Sequence, residues 1–187
     1  MRFRMRALPR PQASGVTLLE LLIAVGVVAV LAAVAIPQVR SAREAMRSGV
    51  AQAAFRDSLL VGVRRAAVHG SEVVLCPALA HGCLPTNVWT RGWIVFADGD
   101  GDRVRDLGEP VLKRVPAAGG GVRIRSTAGR TRIVLQPNGG NSGSNATFTF
   151  CDARGPEKAV SLVLANDGRL RSGPAAPADA AACLTGS

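Results

Sequence analysis

Glu20 is a carboxylate set at the start of a stretch with no other charge, because Leu21 to Ile36 is apolar throughout. An ionisable group in a spanning helix costs about 2.5–3.5 kcal/mol on insertion scales, so its presence points to a task, with a cation as its natural partner. A second chemistry lies in the arginine pairs Arg123/Arg125, Arg130/Arg132 and Arg169/Arg171. On a strand both members of an Arg-x-Arg pair face one way. The first two pairs are expected on neighbouring strands joined by a turn. Were the sheet to set all three side by side, the resulting guanidinium patch would take phosphates without sequence preference and in a strongly salt-dependent way. Gly168 before Arg169 allows a tight turn, and Gly129 stands in the same place before Arg130, so the pattern recurs in this Arg-rich chain. Aromatics are few: two Trp, five Phe and no Tyr. That disfavours stacking on single strands and favours contact with a duplex backbone.

Asp98, Asp100, Asp102, Asp106 and Glu109 occupy positions 1, 3, 5, 9 and 12 of a twelve-residue window, the ligand spacing of a calcium loop. Position 6, where such a loop turns sharply on Gly, is Arg103, and Arg105 adds a second cation. The segment also joins two strands rather than two helices. It reads as a solvated hairpin connection whose Asp and Gly supply turn geometry, with calcium the weak alternative. His69 and His81 have no Ser or Asp partner by motif, so no nucleophile–base constellation is visible and the chain reads as non-enzymatic, without cofactor.

The elements that must position these groups follow from length and pattern. The 187 residues suffice for one modest domain and a long helix. Residues 1–15 carry Arg2, Arg4, Arg6 and Arg10 and no acid, so they are expected to start on the cytoplasmic face. The formal charge of +10 falls by those four arginines to +6 without them. Residues 16–36 match the roughly 20 residues needed to span a bilayer. Past Pro37 the chain becomes amphipathic, and the spacing predicts one helix from Val16 to His69 with a proline kink, residues 37–69 forming its amphipathic half. Residues 70–187 read as a β-rich head. Its expected strands are Glu72–Cys76, Gly92–Ala97, Pro110–Val115, Val122–Ser126, Thr131–Gln136, Thr147–Cys151 and Ala159–Leu164. The Ala/Pro-rich tail Gly173–Ala182 reads as loose, except where Cys183 ties it down. Cys76, Cys83, Cys151 and Cys183 make an even count suited to disulfides in an oxidising compartment. Spacing suggests Cys76–Cys83 and Cys151–Cys183, although four cysteines allow three pairings. Zinc is disfavoured because Cys-x6-Cys with His81 lacks the tight ligand spacing.

Ser14-Gly15-Val16-Thr17-Leu18-Leu19-Glu20 resembles the signal of type IV prepilins and type II secretion pseudopilins. That resemblance implies cleavage between Gly15 and Val16 by the prepilin peptidase, methylation of the new Val16 amine, and pairing of Glu20 with that amine on a neighbouring subunit during assembly. In the head, Gly92-Trp93-Ile94-Val95-Phe96, the acidic loop, Gly108-Glu109-Pro110-Val111-Leu112, Phe150-Cys151-Asp152-x-Arg154-Gly155 and Asp167-Gly168-Arg169-Leu170-Arg171 are similar in type and order to the FimT/GspH family. The family implies an α+β, type IV pilin-like fold, a long N-terminal helix packed on an antiparallel sheet. It further implies an inner-membrane protein with a periplasmic head, assembling with major and minor pilins into a pilus fibre. FimT-type members carry a Gly-Arg-x-Arg motif that contacts double-stranded DNA during uptake, which here falls on Gly168, Arg169 and Arg171. A type II secretion pseudopilin, whose partners are proteins, is the alternative expectation, and a pilus-priming subunit without a nucleic-acid role is the third.

Overall fold

The structure is a computed structural model and describes residues 15–79, 82–141 and 143–186. The leader arginines and His81 lie outside the described residues. The chain divides into two units, the first ending at Arg40 and the second running from Ser41 to Ser187.

In the first unit Thr17 caps helix α1 (Leu18–His69), its Oγ1 accepting the Glu20 N–H at 3.2 Å. Thr-x-x-Glu is the capping-box spacing, and an acid in the first turn suits the positive end of the helix dipole. Pro37 sits inside α1 without ending it. The apolar stretch is long enough to cross a membrane by length and composition, and none of it is buried within the protein.

In the second unit α1 turns one face inward: Ser48, Ala51, Phe55, Ser58, Leu59, Gly62 and Ala66, spaced by threes and fours. Among the described residues eight strands follow: β1 (Glu72–Pro77), β2 (Gly92–Asp98), β3 (Val111–Pro116), β4 (Arg123–Ser126), β5 (Ile133–Leu135), β6 (Ala146–Cys151), β7 (Val160–Leu164) and β8 (Leu170–Pro174). They form two antiparallel sheets, ordered β3-β2-β1-β5 and β4-β6-β7-β8. The strands expected as neighbours, β4 and β5, fall in different sheets, because β4 pairs with β6 while β5 pairs with β1. Alternation places Val73, Leu75, Trp93, Val95, Ile133 and Leu135 against α1, and Val74, Cys76, Ile94, Phe96 and Val134 on the opposite face. Both faces of the first sheet are thus apolar, which explains its nearly continuous hydrophobic runs.

Phe55, fully buried, is the centre of the core, with Trp89, Trp93, Phe148 and Phe150 all within 6.0 Å ring to ring. The indole N–H groups find partners: Trp93 donates to Ser58 Oγ at 2.9 Å and Trp89 to Ser126 Oγ at 3.0 Å. Gly92 has φ +104°, and a Cβ there would meet the Val115 carbonyl, so the β2–β3 approach requires glycine.

The tail corrects the expectation of looseness. Leu170 packs on the core and starts β8, and Pro177–Thr185 is helix α2. Alanine-rich sequence favours helix, and Pro177 sits in its first turn, where a missing N–H costs nothing. Ala180 and Cys183, three apart, bury together against Cys151 and Ala159. Disulfides join Cys76 to Cys83 and Cys151 to Cys183.

Candidate functional site

The β7–β8 hairpin turns through Asn166, Asp167 and Gly168. Gly168 N–H donates to the Ala165 carbonyl at 3.0 Å and Ala165 N–H to the Arg169 carbonyl at 2.9 Å. Gly168 has φ +79°, and a Cβ there would run into the Gly139 carbonyl. Asn166 receives the Asn141 and Asn145 amides, so the turn is docked on the preceding loop. Leu170 faces the core, and Arg169 and Arg171 project from the other face, both exposed. Asp167 holds Arg169, with Nε–Oδ2 at 2.6 Å and the Arg169 N–H on Oδ1 at 3.1 Å. That backbone hydrogen bond, assisted by the guanidinium, draws the Asp167 carboxyl below the usual carboxylate range. Arg171 sits opposite Val163, and no hydrogen bond or ion pair engages it among the described residues.

The other arginine pairs do not join this one. Arg123 and Arg125 lie on β4, at the opposite edge of the same sheet, with β6 and β7 between, a separation of about 14 Å at normal strand spacing. They are engaged in holding α2: Arg123 donates to the Leu184 carbonyl, and Arg125 to the Ala182 carbonyl at 2.8 Å. Cations suit the negative end of a helix, so these two arginines cap it. Arg130 and Arg132 precede β5 in irregular chain rather than on a strand beside β4, because β5 belongs to the other sheet. Arg130 donates to Asn145 Oδ1 at 3.0 Å and Arg132 to the Arg103 carbonyl at 2.6 Å. The single guanidinium patch is therefore not assembled. Trp89, Trp93 and four of the five Phe are buried, so the described surface offers no aromatic platform for bases.

The acidic loop joins β2 to β3. Asp98 is buried and accepts the Gly101 N–H at 2.8 Å and the Arg103 N–H at 3.1 Å. Burial raises its carboxyl above the usual range; the two amides oppose that, while Glu109 and Asp100 add to it. Carboxylate oxygens of Asp98, Asp100 and Asp102 lie within 4.8 Å of one another. Glu109, the twelfth-position acid, spends its oxygens on the Gly99 N–H at 2.7 Å and the Asp106 N–H at 3.1 Å. Arg103, at position 6, takes φ +64° and reaches Glu72 at 3.5 Å. The loop closes through its own amides, and Arg103 ties it to Glu72 at the start of β1, the geometry of a hairpin connection.

Sequence reasoning alone misses a buried pair. Asp152, 2% exposed, receives Nε and Nη2 of Arg154 at 2.9 and 2.7 Å. Burial pushes its carboxyl up, but the arginine's hydrogen bonds and charge outweigh that and leave it below the usual range. An Asp-x-Arg spacing at the end of a strand is the signal that could have found it.

Residues 58–168 match the Type II transport protein GspH family, and residues 10–36 match the prokaryotic N-terminal methylation motif. No curated protein matches the chain. Among solved structures, the type IV minor pilin FimU of Pseudomonas aeruginosa superposes with a TM-score of 0.52 at 13% identity, covering 71% of this chain and 89% of that one. The minor pseudopilin EpsH from the type 2 secretion system of Vibrio cholerae does so with a TM-score of 0.51 at 12% identity, covering 68% and 97%. At such identities the likeness speaks for the fold. The match over residues 58–168, more than half of the chain, places it in the GspH family, with the N-terminal methylation motif ahead of the head.

Proposed function

We propose that the chain is a minor pilin of a type IV pilus whose head binds double-stranded DNA without sequence preference, supporting DNA uptake in natural transformation and pilus biogenesis. On this reading residues 1–15 are removed by the prepilin peptidase after Gly15, Val16 is methylated, residues 16–36 anchor the protein in the inner membrane, and the head lies in the periplasm. Glu20 pairs with the Val16 amine of a neighbouring subunit as the protein joins major and minor pilins in the fibre. The observation that carries the DNA reading is Arg171, an exposed cation on an edge strand that no carboxylate engages among the described residues. The absence of exposed aromatics among the described residues supports contact with the phosphate backbone rather than with bases.

A minor pseudopilin of type II secretion is the second reading, favoured by the family match itself and by the likeness to EpsH. Binding of a mixed-sequence duplex by the full chain in neutral detergent, across a salt series, separates the two. DNA binding predicts that Arg171→Ala weakens affinity several-fold and lowers the slope of log K against log salt by about one. Absence of salt-dependent binding by the wild type leaves the pseudopilin reading in place.

A further inference from the structure

We propose that Asp167 is an intramolecular competitor of phosphate for Arg169, setting how tightly the β8 edge grips a polyanionic backbone. The inference rests on the DNA reading above and concerns the same site.

The geometry is that of a mimic. A carboxylate presents two oxygens to Arg169, one on Nε and one on its backbone N–H, where a phosphate would present two of its own. The pair is open to solvent, the two side chains being 72% and 48% exposed, so it contributes little to folding and exchanges readily. The hairpin does not depend on it. Its backbone is closed by Gly168 and Ala165, and Asn166 docks it on Asn141 and Asn145. Asp167 is also held ionised, since the Arg169 amide draws its carboxyl below the usual range. Two effects then act against an approaching phosphate: Arg169 is engaged, and a negative charge stands two residues from it. Arg171 faces the same way without such an acid, so the two arginines of one motif are unequal, with Arg171 available and Arg169 restrained.

Asp167→Asn removes the charge while keeping an oxygen to accept the Arg169 N–H. Duplex affinity of the full chain in neutral detergent should rise about five-fold at low salt, with the salt slope steeper by about one phosphate contact. In the wild-type background Arg169→Ala should weaken binding by less than Arg171→Ala does. In the Asp167→Asn background the same substitution should abolish the gain, a coupling that a double-mutant cycle reads directly. Asp167→Ser, which also retains an acceptor for the turn, should reproduce the gain, and thermal melts identify any variant that fails to fold.

An equal loss of affinity on Arg169→Ala in the wild-type and Asp167→Asn backgrounds would mean that net charge alone acts and would overturn the proposal. So would an unchanged Asp167→Asn and Asp167→Ser beside a wild type that binds and an Arg171→Ala variant that does not; in that case the DNA reading stands and only the role of Asp167 falls. No salt-dependent binding by the wild type or by either Asp167 variant would overturn the DNA reading, and this inference with it.

Discussion

Asp98 and Asp152 are both almost wholly buried carboxylates, and their surroundings drive them in opposite directions. Asp152 sits below the usual range through Arg154, so its contribution is present above the unfolded value and is lost as pH falls through the folded one. Asp98 sits above the usual range, so its contribution is full at acid pH and is lost as pH rises through its folded value. Removing one partner of a buried pair costs about 3 kcal/mol. Asp152→Asn should therefore lower stability by about that amount at pH 7 and by much less near pH 3, as read from urea unfolding at the two pH values. An equal loss at both would show that the ion pair contributes nothing. Gly168→Ala should destabilise the β7–β8 turn, since the added carbon meets the Gly139 carbonyl at a positive φ. Little of this detail is legible in sequence. Glu20 stands out as a charge in an apolar run, yet Thr17 three residues earlier also makes it part of a helix cap, a role that the membrane argument obscures. Asp152 and Arg154 look like surface residues until β6 carries them to the edge of the core.

At the scale of elements, α2 is the case where composition misleads. Alanine and proline suggest a loose tail, but an Ala-rich segment with proline in its first turn is a helix once Cys183 and Ala180 have an apolar seat. The Cys151–Cys183 bridge closes 32 residues of sequence separation and is worth about 3–4 kcal/mol by loop-closure entropy. Cys151→Ser/Cys183→Ser should lower stability by that order, and hydrogen exchange should show α2 losing protection before the sheets. Uniform loss of protection would mean that α2 is integral to the cooperative core. The strands are legible because alternation is a period of two written locally in β1, β2 and β6. The pairing that sends β4 and β8 to opposite edges of one sheet, and β5 to the other sheet, is set by contacts far apart in the chain and leaves no local mark. That is why three similar Arg-x-Arg pairs, indistinguishable in sequence, acquire three different surroundings.

At the scale of the whole molecule, the proposed assembly rests on Glu20, and the test is separable from processing. Glu20→Ala should still lose its leader yet be depleted from sheared fibres, as judged by immunoblot of fibre and membrane fractions. Full incorporation would remove the carboxylate–amine pairing from the account. Phe55 adds a mechanical consequence. It belongs to α1 and sits among Trp89, Trp93, Phe148 and Phe150, drawn from the β1–β2 connection, β2 and β6. A pull along α1 therefore reaches the head as shear across interlocked rings, loading many contacts at once, whereas a pull on a hairpin such as β7–β8 peels one rung at a time. The residues that fasten α1 into the head are thus the ones that would carry such a pull.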